Sequence, residues 1–313
     1  MIDRAAIAAA RHHIVNPPGF LRTTPLMRVP GRSLGVDCGE VWLKLEHLQV
    51  GGSFKARGML YRLLANPVPE SGVIIASGGN AGIAVAAAAQ ALGMRCEVFV
   101  PESSPEAKRA RLRALGAEVV VTGAAYADAF DACVARQNVT GALQAHAYDQ
   151  PEVVAGAGTL ALEMEEQGGR LPDSVLVSVG GGGLIGGIAG WVESRAHVVA
   201  LEPERAPTLH AARAAGHPVD VEVGGVAADS LGARRIGALC WEVSQRHVHD
   251  ALLLPDDAIR AAQRWLWKEL KLAVEPAAAL GLAALQTGAY QPQPQETVAL
   301  ILCGANFDPA SLA

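Results

Sequence analysis

The chain has 313 residues, of which 50% are hydrophobic and 18% are charged, and its formal net charge is −5. This length favours two domains around a large core, and the lack of a basic tract argues against a nucleic-acid partner. No uninterrupted apolar run approaches the roughly 20 residues that a membrane span requires, so we expect no membrane partner.

The N-terminus and the cysteines indicate the cellular compartment. The first residues, Met1 to Ala5, lack the charged, apolar and small-residue regions of a secretory signal, so we expect a cytoplasmic protein. The five scattered cysteines form no CxxC pair, which argues against a disulfide framework and a structural zinc site. Most of them are expected to be small buried residues.

From residue 73 onward, β-branched runs alternate with alanine-rich stretches, which predicts an α/β fold of parallel sheets flanked by helices. The predicted strands are 73–76, 96–100, 118–122, 174–179, 197–201 and 297–302. The predicted helices are 81–92, 105–115, 151–167 and 184–194. A strand-glycine-helix unit occurs twice, which suggests two similar α/β domains with ligands beyond the carboxyl ends of the strands.

The first candidate segment is Gly51 to Gly58, which contains the sequence Gly-Gly-Ser-Phe-Lys. We expect Ser53 to cap a helix and Lys55 to lie in its first turn, where the helix dipole lowers the pKa of the amine. A Schiff-base lysine needs such a neutral amine to attack a carbonyl group. Considered alone, Lys55 fits a solvated surface lysine better.

The second candidate segment, Ser77 to Gly82, lies between a predicted strand and a predicted helix. Its glycines allow a ligand to approach closely, and the helix start offers N–H donors that suit a carboxylate. Asn80 could donate its amide to a ring hydroxyl. On this segment alone, a plain strand-to-helix turn is an equally good interpretation.

The third candidate segment, Gly180 to Gly186, follows a predicted strand and opens a helix, which suits a phosphate held by backbone amides. It also satisfies GxGxxG from Gly181, and Glu202 lies about 20 residues on, as in a dinucleotide fingerprint. A nicotinamide enzyme, however, would leave the segments around Lys55 and Asn80 unexplained.

The fourth candidate segment, Cys303-Gly304-Ala305-Asn306, directly follows the last predicted strand. The thiol would therefore lie at the carboxyl end of a strand, where it could face a ring nitrogen. Considered alone, Cys303 fits a buried core residue better.

These four segments, in this order and spacing, resemble the fold type II pyridoxal-phosphate enzymes, specifically the serine/threonine dehydratase branch. The resemblance spans nearly the whole chain, and further matches are Lys44 to Gln49, Gly156 to Thr159 and Glu275-Pro276. It implies a large cofactor domain of residues 1–51 and 146–313, a small domain of residues 52–145, and a homodimer.

The resemblance also implies roles for individual residues. Lys55 would hold pyridoxal 5'-phosphate as a Schiff base, Asn80 would bind the ring oxygen, and Cys303 would share a hydrogen bond with the ring nitrogen. The remaining cofactor contacts would be Phe54 against the ring and Gly180, Gly181, Gly182, Gly183 and Leu184 at the phosphate. The implied substrate-binding residues are Ser77, Gly78, Gly79 and Ala81.

The activity implied by the resemblance is β-elimination from a hydroxy-amino acid, most simply L-serine or L-threonine, giving a 2-oxo acid and ammonia. A thiol such as Cys303, with a reference pKa of about 8.5, does not keep the ring nitrogen protonated, which disfavours the long-lived carbanion of transamination or racemisation. Gly78 also lacks the hydroxyl that serine racemases carry there, so we expect weak racemase activity.

The family's cation site uses Glu202, Ala206 and a carboxylate two residues later, but Thr208 occupies that last position. This departure disfavours a divalent ion and leaves a monovalent cation as the ion that Glu202 and Ala206 could hold.

Three other functions stay open at this point. A lyase or synthase for another β-substituted amino acid, such as phenylserine or hydroxyaspartate, would differ only in pocket side chains. An NAD-dependent dehydrogenase would require added dinucleotide, and a noncatalytic pyridoxal-phosphate-binding protein would be coloured without turnover.

Overall fold

The computed structural model of the protein describes residues 1–15 and 19–312, within which the chain forms ten β-strands and eleven α-helices. The strands are β1 (Leu26–Pro30), β2 (Glu40–Lys44), β3 (Val73–Ala76), β4 (Cys96–Val100), β5 (Glu118–Val121), β6 (Leu143–Gln144), β7 (Ser174–Ser178), β8 (His197–Pro203), β9 (Asp250–Leu254) and β10 (Thr297–Ile301). The helices are α1 (Arg4–Ile14), α2 (Lys55–Leu64), α3 (Asn80–Ala91), α4 (Glu106–Ala114), α5 (Tyr126–Thr140), α6 (Pro151–Gly168), α7 (Gly183–Val192), α8 (Thr208–Ala215), α9 (Ala238–His247), α10 (Asp256–Leu270) and α11 (Pro276–Gln286). None of these helices combines the length and the apolar character needed to cross a membrane.

The strands form two separate sheets. The larger sheet has the order β1-β2-β10-β7-β8-β9, and the smaller sheet has the order β5-β4-β3-β6. Neighbouring strands are parallel in both sheets, except that β1 runs antiparallel to β2. The predicted α/β fold with two parallel-dominated sheets is confirmed.

The larger sheet is covered on both faces, because every residue of β7 and of β10 is buried. Such strands read as short continuous apolar runs without alternation, which is the pattern expected of a parallel sheet between helices. Helices α6 and α7 pack against each other beside this sheet, and most of their buried apolar residues belong to the same core as β7 and β10.

The predicted strands and helices all occur, with boundaries that differ from the prediction by two residues at most. The strands that the sequence analysis did not predict include β1 and β2, which form one edge of the larger sheet. All strands of the smaller sheet fall within residues 52–145 and all strands of the larger sheet fall outside them. This agrees with the predicted division into domains, whose bounds stay a prediction.

Candidate active site

A cavity of about 420 Å³, counted with its open mouth, lies between the ends of β7 and β10 and the starts of α2 and α3. Every residue predicted to contact the cofactor lines it. These residues are Phe54, Lys55, Asn80, Gly180, Gly181, Gly182, Gly183, Leu184 and Cys303. The predicted substrate-binding residues Ser77, Gly78, Gly79 and Ala81 are not among its lining residues; they flank Asn80 in the turn before α3 and in its first turn.

The segment that carries Lys55 is fixed by backbone contacts to the segment that carries Cys303. The amide of Phe54 donates to the carbonyl of Cys303 (3.0 Å), and the amide of Ala305 donates to the carbonyl of Gly52 (2.9 Å). Gly52 has a φ of +77°, and a Cβ there would lie 2.7 Å from Oδ1 of Asn306, so only glycine fits. The two segments, about 250 residues apart in the chain, therefore share one wall of the cavity.

The prediction that Ser53 caps the helix is wrong. Ser53 is extended (φ −163°, ψ 161°) and forms a β-bridge with Gly304, so Phe54 takes the capping position and α2 begins at Lys55. A capping side chain must reach the second or third amide of the helix, and Ser53 lies one residue too early. Its buried hydroxyl has no hydrogen-bond partner within the described residues.

Lys55 lies in the first turn of α2, as predicted. Its Nζ donates to the carbonyl of Ala147 (2.6 Å) and lies 5.0 Å from the centre of the Phe54 ring. Burial of the nitrogen lowers the pKa of Lys55 to about 8, although nearby Cys240, Cys303 and Glu275 act in the opposite direction. The predicted lowering of the pKa is confirmed, but its main cause is burial of the amine, which penalises the charged form.

The glycine segment turns directly into α7, which begins at Gly183. The first intrahelical hydrogen bond runs from the amide of Gly186 to the carbonyl of Gly182 (2.8 Å), so the amides of the preceding turn have no partner within the helix. These amides and the positive end of the helix dipole suit a phosphate group.

Gly182 is held in a left-handed conformation with no room for a side chain. Its φ is +90°, and an added Cβ would lie 2.6 Å from both Cβ of Cys240 and Cδ1 of Ile236. Gly182→Ala is therefore expected to reduce the free energy of unfolding by about 2–4 kcal/mol, the sum of backbone strain and overpacking.

Gly216→Ala is the matched control for this prediction, to be measured by urea unfolding. Gly216 has a φ of +76° but no atom within 4 Å of an added Cβ, so its replacement should cost only the strain of about 1 kcal/mol. Equal costs for the two variants would show that the glycine segment is not closely packed.

Cys303 lies just beyond β10 and is only 3% exposed. Burial raises the pKa of its thiol well above the ordinary value, and the charge of Glu275 acts in the same direction. The side chain therefore stays a neutral thiol near pH 7. It can donate a weak hydrogen bond, but it cannot hold a proton on a ring nitrogen as a carboxylate would.

Six residues that line the cavity had no predicted contact role: Tyr148, Ser178, Ser230, Leu231, Glu275 and Ala277. Glu275 is 3% exposed and accepts from Nδ2 of Asn80 through both oxygens (3.0 and 3.1 Å). Tyr148 lies against Gly181, where an added Cβ would be 2.3 Å from its ring. The Glu-Pro landmark pointed to Glu275, whereas nothing in the local sequence marked Tyr148.

The turn before α3 presents a second set of amides that have no partner within their own helix. The first hydrogen bond of that helix runs from the amide of Ile83 to the carbonyl of Gly79 (3.0 Å). The earlier amides of the turn can therefore receive a carboxylate, as the sequence analysis proposed. A Cβ at Gly78 would lie 3.1 Å from Oγ of Ser104, in the loop that leads to α4. A side chain at position 78 would therefore be in tight contact with Ser104.

Glu202 is fully buried and its carboxylate caps α8. It accepts from the hydroxyl of Thr208 (2.9 Å), the amide of Leu209 (2.7 Å) and the amide of His210 (2.8 Å). No group of three or more His, Cys, Asp or Glu side chains within the described residues could hold a metal ion. The monovalent cation at Glu202 and Ala206 stays a prediction. The Glu202 carboxylate already accepts three hydrogen bonds from α8, which disfavours its binding the ribose of a dinucleotide.

The cavity fits pyridoxal phosphate on three independent points. A lysine amine with a lowered pKa can form an imine, unpaired amides at the start of α7 can hold the phosphate, and the buried thiol of Cys303 can face the ring nitrogen. The glycine segment has no space for side chains, so ligand and backbone can approach closely.

The comparisons with known proteins agree with this fit. Residues 19–304 match the family model described as pyridoxal-phosphate dependent enzyme. The phenylserine dehydratase of Ralstonia pickettii is 36% identical, and the match covers 99% of this chain and 95% of that protein. Among solved structures, the T.th. threonine deaminase is 36% identical with a TM-score of 0.89 and 98% and 99% coverage. Maize serine racemase is 28% identical with a TM-score of 0.91 and 99% and 95% coverage.

Proposed function

Because this chain belongs to the pyridoxal-phosphate-dependent enzyme family, we propose that Lys55 holds this cofactor while the enzyme acts on a hydroxy-amino acid. The reaction is β-elimination: water leaves from Cα and Cβ, and hydrolysis of the dehydrated product then gives a 2-oxo acid and ammonia. The family match overturns the alternative of an NAD-dependent dehydrogenase.

The observation that carries the proposal is the position of Lys55. Its amine lies in a cavity that is also lined by the glycine segment and by the neutral thiol of Cys303. Bound pyridoxal phosphate supplies an electron-withdrawing ring that makes the Cα proton of an amino acid removable. A noncatalytic binding protein would have no need for an amine with a lowered pKa beside that ring.

The side chains and backbone amides around the cavity supply the base, the carboxylate site and the contact to the ring nitrogen. With pyridoxal phosphate and substrate bound, Nζ of Lys55 in its neutral form would be the base that takes the Cα proton. The amides of the turn formed by Ser77, Gly78 and Gly79 would orient the carboxylate of the substrate. The neutral thiol of Cys303 would not keep a proton on the ring nitrogen, which would favour loss of the β-hydroxyl over racemisation.

The reaction of Lys55 with its cofactor is expected to depend on pH through the lysine pKa of about 8, well below the ordinary 10.5. Only the neutral amine forms an imine, and its fraction falls tenfold per pH unit below the pKa. Added to cofactor-depleted protein, pyridoxal phosphate should generate its visible band at a rate that rises up to about pH 8 and then levels off. A rate still rising tenfold per unit near pH 10 would mean that Lys55 is not buried as described.

We propose L-serine and L-threonine as the first substrates, with phenylserine as the specific second candidate. Phenylserine is favoured by Tyr148 and Leu231, which give the cavity an aromatic and an apolar wall. The full-length similarity to a phenylserine dehydratase supports it independently. Hydroxyaspartate is disfavoured because it carries a second carboxylate. Lys55 is the only basic side chain among the described residues that line the cavity, so no further cation is available to pair with that carboxylate.

The test is the kcat/KM for 2-oxo acid release from L-serine, L-threonine, phenylserine and hydroxyaspartate, with D-serine formation followed in parallel. Turnover of any hydroxy-amino acid supports the proposal, and the largest kcat/KM identifies the preferred substrate. Racemisation that outpaces elimination, or a coloured protein that turns over none of the four, would contradict it. The homodimer, the cytoplasmic location and the monovalent cation rest on the sequence alone and belong to the proposal.

A further inference from the structure

A chain of four polar side chains connects the outer surface of α4 with the cavity. Nη1 of Arg111 donates to Oδ1 of Asn306 (2.7 Å), and Nδ2 of Asn306 donates to Oδ1 of Asn80 (2.6 Å). Nδ2 of Asn80 then donates to the carboxylate of Glu275. Every donor in this chain points the same way, from a guanidinium cation to a buried carboxyl group.

The orientation of the side-chain amides of Asn306 and Asn80 follows from two neighbours of Asn306, one of which can only donate and the other only accept a hydrogen bond. Arg111 can only donate, so it selects the oxygen of Asn306, and the carbonyl of Gly51 can only accept, so it selects the nitrogen (2.8 Å). Asn306 must therefore offer an N–H to Asn80, which receives it through Oδ1. The nitrogen of Asn80 is left facing Glu275 and the cavity.

We propose that Arg111 is a positioning residue for the cofactor, acting through Asn306 on the amide of Asn80. Asn80 lines the cavity, and its Nδ2 lies about equally far from both oxygens of Glu275 (3.0 and 3.1 Å), so the single carboxylate group faces one of the two N–H bonds. The second N–H is then held ready for an oxygen of the bound ring, and the amide cannot present its own oxygen there instead. This role rests on the proposed function, because it assumes that pyridoxal phosphate occupies the cavity.

Arg111 also connects the part of the molecule around the smaller sheet with the part around the larger sheet. It lies on α4, next to the smaller sheet, whereas Asn306 follows β10 of the larger sheet. One turn earlier on the same helix, Nζ of Lys108 pairs with Asp229 (2.8 Å), adjacent to Ser230 at the cavity. The position of α4 relative to the larger sheet is thereby coupled to the orientation of a cofactor contact.

The experiment compares Arg111→Ala with Arg113→Ala in the loaded enzyme. Arg113 lies two residues on in α4, and its one ion-pair partner among the described residues is the exposed Glu106 (2.6 Å), so its loss should change nothing at the cavity. Loaded enzyme is transferred to cofactor-free buffer, and the visible band of bound pyridoxal phosphate is followed. For Arg111→Ala we expect release about 3-fold to 10-fold faster, since one charge-assisted contact acting through Asn306 is lost.

The absorption spectrum separates this role from simple stabilisation. A ring oxygen without its N–H donor should shift absorbance from the visible to the near-ultraviolet in Arg111→Ala, and Arg111→Lys, which keeps one charged donor, should restore part of the visible band. Asn306→Asp, which accepts from Arg111 but cannot donate to Asn80, should shift the spectrum further.

Equal release rates and spectra for Arg111→Ala and Arg113→Ala would overturn this role of Arg111, and so would a normal spectrum for Asn306→Asp. If wild-type protein acquires no visible band with pyridoxal phosphate, the proposed function itself is contradicted, and the role of Arg111 that depends on it is contradicted as well.

Discussion

Lys55→Ala is expected to lower turnover of hydroxy-amino acids by about 10⁴-fold or more and to abolish the visible band of bound pyridoxal phosphate. Both effects follow from the position of one nitrogen, which would hold the cofactor and then move the Cα proton of the substrate. Nζ of Lys55 lies 2.6 Å from the carbonyl of Ala147 in the wall of the cavity. Oxo acid release and the absorption spectrum measure the two effects separately.

Lys268→Ala is the control for this variant. Its side chain is 82% exposed on α10 and, within the part of the chain that the structure describes, pairs with Glu269 alone (3.5 Å), so turnover and colour should stay at the wild-type level. Lys55→Ala should keep the far-ultraviolet circular dichroism of the native protein, because within the described residues the removed amine makes one hydrogen bond and one contact with the Phe54 ring. Turnover above a tenth of wild type would mean that another group is the base.

The second large effect concerns a buried ionic network next to the site. Arg57, two residues after Lys55, donates to Glu46 (2.8 and 2.7 Å) and to Glu163 (3.1 and 2.9 Å). Lys44 donates to Glu163 as well (2.6 Å), and all four side chains are almost fully buried. Burial would raise the pKa of Glu163, but Arg57 and Lys44 lower it to about 2, so the carboxylate is ionised.

Arg57→Ala is expected to reduce the free energy of unfolding by about 3–5 kcal/mol, because two buried carboxylates would be left with a single cation. Urea unfolding measures the loss. The surface pair of Arg246 with Glu242 (2.9 Å) supplies the control, since Arg246→Ala should cost less than about 1 kcal/mol. A cost for Arg57→Ala below about 1 kcal/mol would show that the network contributes little to holding α2 in place.

The sequence was sufficient to predict the parallel sheets, because buried parallel strands are short β-branched runs between alanine-rich helices. Strands β3 and β4 coincide with the predicted ranges. Strands β1 and β2 were missed because β1 is only half-buried and β2 ends in Lys44, a cation that a sequence pattern places at the surface. Lys44 is buried because Glu163, 119 residues later, reaches it, and no local pattern shows such a partner.

The candidate site was predictable where it depends on local sequence and unpredictable where it depends on contacts between distant segments. The glycine segment, Lys55 and Cys303 could be placed at one cavity because each follows a strand end or opens a helix. Ser53 failed as a cap because its backbone pairs with Gly304, a contact between distant parts of the chain. The path from Arg111 to Asn80 was also invisible in the sequence, since it crosses from one sheet to the other.

The most direct test of the central claim is to reduce the loaded enzyme with borohydride, digest it and locate the modified residue by mass spectrometry. Reduction fixes an imine between lysine and pyridoxal phosphate as a stable secondary amine. The expected result is a phosphopyridoxyl group on the peptide that contains Lys55 and on no other lysine. A label on a different lysine, or none on protein that has been incubated with the cofactor, would contradict the assignment of Lys55 and of the cavity around it.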